Sequence, residues 1–200
     1  MNTFLRNLSF LIIPFFRSWI NFRKSEILPD GYFDYLKFRL NLSKIYWPKD
    51  KTCMVANPRK IYVGKCSKIG RPFSYLQGGG GLFIGDYVRF GPGVGILTSN
   101  HDFYDRDKNN VKPIKIGDYC WIGMHAIVLA GVELGPSTIV GAGSVVTKSF
   151  PEGYCVIAGN PAKVIKYLDK EKVQIPSHPE YYGYIPASDF EKVRNKYIDV

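Results

Sequence analysis

Between residues 116 and 151 apolar and polar positions recur every six residues. Six consecutive hexads line up without a gap: IGDYCW, IGMHAI, VLAGVE, LGPSTI, VGAGSV and VTKSFP. The first place is always aliphatic, at Ile116, Ile122, Val128, Leu134, Val140 and Val146. The second is mostly glycine (Gly117, Gly123, Gly135, Gly141), and the fifth is small or apolar, from Cys120 and Ala126 through Val132, Thr138 and Ser144 to Phe150. Neither the helical period of about 3.6 nor the strand period of about 2 keeps six hexads in phase. A hexapeptide repeat is the signature of a parallel β-helix. Each hexad supplies one short strand and one corner, and three hexads close a coil whose axis the first-place aliphatics fill. One coil cannot bury its own interior, so coils must stack. Glycine in second place is expected where the chain bends and a side chain would crowd the corner.

The phase continues upstream. Ile84, Phe90 and Ile96 head one coil that ends at His101, and Val63, Ile69 and Tyr75 head another, with Gly81, Leu82 and Phe83 interposed. Fourteen residues, 102–115, then interrupt the repeat. This predicts about four stacked coils and one long excursion that leaves just after a histidine, and long loops on regular scaffolds usually carry function.

Outside the repeat the pattern changes. Phe4, Leu8, Leu11, Phe15, Trp19 and Phe22 have helical spacing, which predicts a helix over residues 4–22, interrupted at Pro14. That helix either packs on the prism or a neighbouring subunit, or lies on a membrane surface with Arg23 and Lys24 at the headgroups. Arg6 and Arg17 bracket about ten uncharged residues, too few to span a bilayer, and no small-residue cleavage pattern of a secretory signal follows. Further helices are expected over 34–42, from 162 to 169 after the Asn160-Pro161 turn, and from a capping box at Ser188 and Glu191 to about Tyr197. The chain thus divides into an N-terminal helical and apolar segment (1–54), the repeat (55–160, with loop 102–115), and a C-terminal helix and tail (161–200).

Composition adds few constraints. The net charge of +10 comes from lysines and arginines spread along the chain, without a basic run or an RNA-binding motif, so nucleic acid is not expected as a partner. Some of these cations suit a phosphate-bearing ligand or an anionic surface. The four cysteines, Cys53, Cys66, Cys120 and Cys155, have no C-x-x-C spacing; a reduced, cytoplasmic chain without a cysteine metal site is expected.

Of the three histidines, His178 lies in the polar tail and His125 takes the outward fourth place of its hexad. His101 follows Ser99 and Asn100 where the excursion begins. Imidazole can accept a proton near neutrality, and the position alone leaves a catalytic and a structural role equally open.

Hexads with glycine second, SNH before the excursion, IGDYCWIG after it, then VGAGSVVTK and AGNPAKVI, together resemble the hexapeptide-repeat acyltransferases. The resemblance covers roughly residues 55–168 and is nearest to galactoside and maltose acetyltransferases and to O-acetyltransferases of surface polysaccharide synthesis. It implies a left-handed parallel β-helix, so the chain is expected to be mainly β, with the helical segments read above from the residue pattern at its two ends. It also implies a homotrimer with active sites in the grooves between subunits, acetyl-coenzyme A as donor, a carbohydrate hydroxyl as acceptor and no metal. His101 would be the general base, acting by direct transfer. The backbone N–H of Met124 would stabilise the oxyanion and Trp121 would wall the pocket. Gly123, Gly141, Ala142, Gly143, Thr147, Lys148, Lys163 and Lys166 would hold the coenzyme, the last two from one face of the terminal helix. The acceptor contact has no assignable counterpart near Gln77 and Gly78. A polysaccharide precursor would place the chain at the inner face of the membrane. An amino-sugar N-acetyltransferase is the alternative enzyme, and a non-catalytic β-helix scaffold the alternative of another class. Zinc hydration chemistry is disfavoured, because His101 and His125 are not closely spaced and His178 lies outside the repeat.

Overall fold

The computed structural model describes residues 16–25, 31–174 and 181–199. Three parallel sheets form the faces of a prism. Sheet one joins Met54–Ala56, Tyr75–Gln77, Gly95–Leu97, Ile127–Leu129 and Val145–Val146. Sheet two joins Ile61–Val63, Leu82–Ile84, Ile114–Ile116 and Glu133–Leu134. Sheet three joins Arg89–Phe90, Trp121–Ile122, Ile139–Val140 and Cys155–Gly159, with Ala162–Tyr167 added antiparallel. The chain visits the sheets in the order one, two, three and then repeats.

The axis is built as the hexads require. Val128 pairs with Val146, Ile122 with Val140 and Ile116 with Leu134, each pair eighteen residues apart and each member at most 2% exposed. The fifth-place residues Cys120, Ala126, Val132, Thr138 and Ser144 are equally buried. The register slips wherever a corner gains or loses residues: Val63 pairs with Ile84, Val140 with Ile157 rather than residue 158, and Phe150 stands over the first-place Leu134 rather than in fifth place. Leu76, not Tyr75, is fully buried and pairs with Ile96; the segment 69–75 holds one residue more than a hexad, so Tyr75 turns half outward.

Second-place glycines serve a different purpose from the one expected. Gly85, Gly117, Gly123 and Gly135 are not left-handed. A Cβ on Gly117 would sit 2.8 Å from the Pro136 nitrogen, and one on Gly123 2.6 Å from that of Ala142. Glycine is therefore needed where one coil lies directly on the next. The corner's left-handed residue is in fourth place, held by Tyr87, Tyr119, His125 and Ser137 at φ of 54–61°; Tyr87 and Tyr119 stack with ring centroids 5.4 Å apart.

Two helices cover the first coil. Phe16–Ser25 (α1) sets Phe16 and Trp19 against the ring of Tyr32; the rest of the apolar segment 4–22 lies outside the described residues. The next helix runs over Tyr32–Arg39 (α2) rather than 34–42. It ends in a Schellman turn: Asn41 is left-handed at φ 57°, and the Leu42 N–H donates to the Lys37 carbonyl. No helix among the described residues is long and apolar enough to cross a membrane.

The expected helix over 162–169 is a strand instead. Residues 155–159 would leave sheet three with an open edge. The chain reverses at Asn160-Pro161, and Ala162–Tyr167 pairs back along that edge. The tail then returns to the first coil, where the short helix Phe190–Arg194 (α3) sets the nearly buried Arg194 against Tyr62. The capping box does not form, since no side chain caps α3; Glu191 pairs with Arg194.

Candidate active site

The excursion leaves the prism at the edge between sheets one and two. It forms a hairpin in which Ser99–His101 pairs antiparallel with Asn109–Val111. Its root is locked from below. The Thr98 hydroxyl donates to the Gln77 carbonyl, and the Ser99 N–H donates to the Gln77 side-chain oxygen. Gly80 fits beneath because a Cβ there would meet the Thr98 carbonyl at 2.6 Å. Gln77, unassigned in the sequence, thus anchors the excursion.

His101 is exposed at the end of its strand, and its Nδ1 lies 2.9 Å from the Arg106 carbonyl. A carbonyl only accepts, so Nδ1 carries the hydrogen and neutral His101 keeps its lone pair on Nε2. Among the described residues the Asp102 carboxylate makes no hydrogen bond to the ring. It accepts from the Tyr104 and Asp105 amides and from the Asn110 side chain, and these bonds hold the Asp102 carboxyl below the usual carboxylate range. The turn so fixed leaves Phe103 and Tyr104 almost fully exposed beside His101.

Other predicted residues gather at the edge between sheets three and one. Here the turns 91–94, 123–126 and 141–144 stack, with the Gly143 N–H donating to the Met124 carbonyl at 2.8 Å. The third place of these hexads holds Pro92, Met124 and Ala142. Among the described residues neither the Met124 nor the Ala142 N–H meets an acceptor. The edge between sheets two and three is different: there the third-place amides of Lys65 and Asp86 donate to the carboxylates of Asp86 and Asp118 in the following coil. Beside the open amides Gly143 is left-handed at φ 69°, with nothing within 4 Å of a would-be Cβ.

Trp121 projects outward from sheet three, 56% exposed. Its row continues through Ile139 and Val156 to Lys166. Lys163 and Lys166 do share a face, though by a different geometry from the one expected. They stand opposite Ala158 and Val156, two residues apart on the partner strand, and a register shift at Val156/Ile157 absorbs Ile165. Three strand spacings, about 14 Å, separate the Trp121 and Lys166 rows. Thr147 and Lys148 lie apart from this group, beyond Val146 on the edge that carries the excursion, and both are exposed.

One chain therefore brings Gly123, Met124, Gly141, Ala142 and Gly143 together with Trp121, Lys163 and Lys166 alongside, and sets His101 on another edge. His125 is exposed and left-handed, and His178 lies outside the described residues. The four cysteines are buried; desolvation pushes the Cys53 thiol up to about 11 and that of Cys120 to about 12, so neither supplies a thiolate nucleophile near neutrality. Among the described residues no group of three or more His, Cys, Asp or Glu is placed to hold a metal. A concavity of about 1000 Å3 lies at the first coil, lined by Phe38, Arg59, Lys196 and Tyr197 among others, away from all these groups.

Residues 113–148 match the family model described as bacterial transferase hexapeptide (six repeats). Galactoside O-acetyltransferase of Escherichia coli (strain K12) is 37% identical over 94 residues, 44% of this chain and 46% of that protein. The chain spans about half the length of the sequence relatives it matches. A maltose O-acetyltransferase from Clostridium difficile 630 superposes with a TM-score of 0.56 at 28% identity, covering 76% of this chain and 84% of that one. A hexapeptide-repeat acetyltransferase from Vibrio cholerae, solved with acetyl-coenzyme A, gives 0.61 at 25% identity, covering 70% and 81%.

Proposed function

We propose that this chain, which carries the hexapeptide transferase repeat and resembles galactoside and maltose O-acetyltransferases, is an acetyl-coenzyme A-dependent O-acetyltransferase. Its acceptor is a hydroxyl of a sugar or polysaccharide precursor, and it works in the cytoplasm. The prism is a left-handed β-helix of about four coils. The observation that carries the reading is the stacked pair of open amides, Met124 and Ala142, on one edge of the repeat; on the neighbouring edge aspartates of the following coil close the amides of Lys65 and Asp86, and only that of Asp118, followed in the next coil by Pro136, stays open.

His101 takes the acceptor's hydroxyl proton on Nε2 as that oxygen attacks the thioester carbonyl. The Met124 N–H donates to the oxygen on which negative charge develops. Collapse expels coenzyme A as its thiolate, which takes the proton back from the imidazolium, and no acyl-enzyme forms; the burial of all four cysteines supports this. Trp121 walls the acyl pocket. Gly123, Gly141, Ala142 and Gly143 offer the pantetheine arm a surface of backbone, with Thr147 and Lys148 at the following corner. Lys163 and Lys166 meet the nucleotide phosphates.

His101 and the amide column stand on different edges, so the reading requires the edge of one copy to face another edge of a second. A closed cyclic trimer does this for all three sites at once. The test measures thiol release from acetyl-coenzyme A against a panel of sugars, with the mass read by light scattering. Sugar-dependent release by a particle of about three chain masses is expected; turnover by a stable monomer, or no release with any carbohydrate, refutes the proposal.

A further inference from the structure

We propose that the first-coil end of the prism, where α2 sits, is a docking surface for an anionic lipid bilayer. The inner face of α2 buries Tyr35 and Phe38, whose rings meet Tyr184. The outer face repeats at helical spacing as Phe33, Lys37 and Leu40, and Phe33 is 74% exposed. The Schellman turn adds Leu42, 70% exposed. In such turns the residue after the left-handed one frequently packs on an apolar partner four or five residues before that left-handed residue. Here those positions are Lys37 and the half-buried Leu36, and Leu42 nonetheless stays exposed. Burial in the prism accounts for none of these apolar side chains, and clustered exposed apolar groups mark interaction surfaces.

Charge identifies the occupant. Two grooves flank this end and meet at Ser43, Lys44 and Pro58. Together they are lined by eight lysine and arginine side chains against four aspartates, an excess of four positive charges. Two of those aspartates are already paired, Asp34 with Lys37 and Asp199 with Arg59. Lys44 and Lys51 are exposed and form no salt bridge among the described residues, Lys51 acting only at longer range on Asp50, whose carboxyl it helps to lower. A nucleic acid would match the cations and leave Phe33, Leu40 and Leu42 without a role. A soluble phosphate ligand would do the same. A bilayer with anionic headgroups takes the apolar side chains between its lipids and the lysines at its surface.

The proposal does not depend on the acyl-transfer reading, and its test is separate. The full chain is sedimented with vesicles of phosphatidylcholine alone or mixed with phosphatidylglycerol. Binding to the mixed vesicles is expected, weakening with added salt. Lys44→Glu/Lys51→Glu should bind at least tenfold more weakly, given the roughly fivefold that each surface lysine contributes. Phe33→Ser/Leu40→Ser/Leu42→Ser should also lose binding. Lys170→Glu/Lys172→Glu, the same charge change at the far end of the prism, should bind as wild type. All these side chains are exposed, Lys170 and Lys172 on a surface turn, and thermal melting confirms each fold. Absence of binding, equal binding to neutral vesicles, wild-type binding by either first-coil variant, or an equal loss in the far-end control overturns the proposal. Acetyl transfer to a soluble sugar should persist in every variant, so failure here leaves the catalytic reading intact.

Discussion

Met124→Pro tests the oxyanion amide without altering the fold, because the repeat already contains the answer to whether proline fits. Met124 is the third residue of its hexad, and the same place is proline at Pro92 and Pro136. Each of those prolines follows a glycine, as the substituted residue would follow Gly123. The Met124 N–H donates to nothing among the described residues, so removing it breaks no bond that holds the coil. A proline at a compatible position narrows the unfolded ensemble and adds about 0.4–1 kcal/mol. Losing part of a side chain that is 49% exposed offsets a similar amount. Net stability should therefore stay within about 1 kcal/mol, which for a chain of this size is a shift of roughly 2–4 °C in Tm. Catalysis should respond on another scale: loss of one oxyanion donor lowers kcat by about a hundredfold to a thousandfold. Met124→Ala keeps the amide and should keep most of the rate, which separates the N–H from the side chain. The assay is steady-state thiol release with thermal melting of both variants. A Met124→Pro protein that melts like wild type and turns over within threefold of it would show that this amide faces no developing charge. A collapse in Tm would instead show that the third place differs between coils in a way the prolines conceal.

His101→Asn should retain the bond to the Arg106 carbonyl, since the Asn amide nitrogen takes the place of Nδ1, yet it lacks Nε2; kcat should fall roughly a hundredfold to ten-thousandfold with Tm unchanged, and His101→Ala should lose no more. Retention of a tenth of the rate by either variant sinks the general-base role. Lys163→Ala/Lys166→Ala should raise KM for acetyl-coenzyme A and leave kcat nearly intact, because phosphate contacts bind ground and transition states alike; an unchanged KM misplaces the nucleotide. Asp102 has a depressed carboxyl pKa in the folded chain, so its contribution to the hairpin is present above its unfolded value and is lost as pH falls through the lower folded one. Protection of the Tyr104 and Asp105 amides, measured against their intrinsic exchange rates, should fall only on that acid side, below pH 3.8, and in Asp102→Ala should be lost at neutral pH as well.

The first-place aliphatics could be read from the sequence because each packs on its counterpart in the next coil, so every coil repeats the same apolar constraint. The slip at Tyr75 could not, since an extra residue in a corner leaves the apolar pattern intact and only shifts its phase by one. Residues 162–169 read as a helix because they follow the Asn160-Pro161 turn and place Lys163 and Lys166 three apart. What decides the issue is the open edge of the strand 155–159, which is a property of the stack rather than of the segment. His101 stood out by its place before the excursion. Its orienting partner did not, because the partner is the backbone carbonyl of Arg106, and a carbonyl has no letter in the sequence.

The aspartates show why one edge of an otherwise regular prism differs from another. Every hexad corner leaves its third-place amide pointing away from the axis. At the edge between sheets two and three the third-place Asp86 and Asp118 close the amides of the coil before them. At the edge between sheets three and one that place holds proline, methionine and alanine. Proline has no amide to satisfy, and methionine and alanine have no acceptor to offer. An exposed amide is satisfied by water at little cost, so this edge is stable as it stands. It becomes a row of directed donors only when something excludes that water. A second copy carrying His101 on its excursion, together with a thioester lying along Gly141 to Gly143, would do so, and the same closure that dries the edge would bring the base to it. On the proposed reading, the open amides of Met124 and Ala142 mark the edge that a second copy would cover, and the position of the excursion marks the edge of that copy that would meet it.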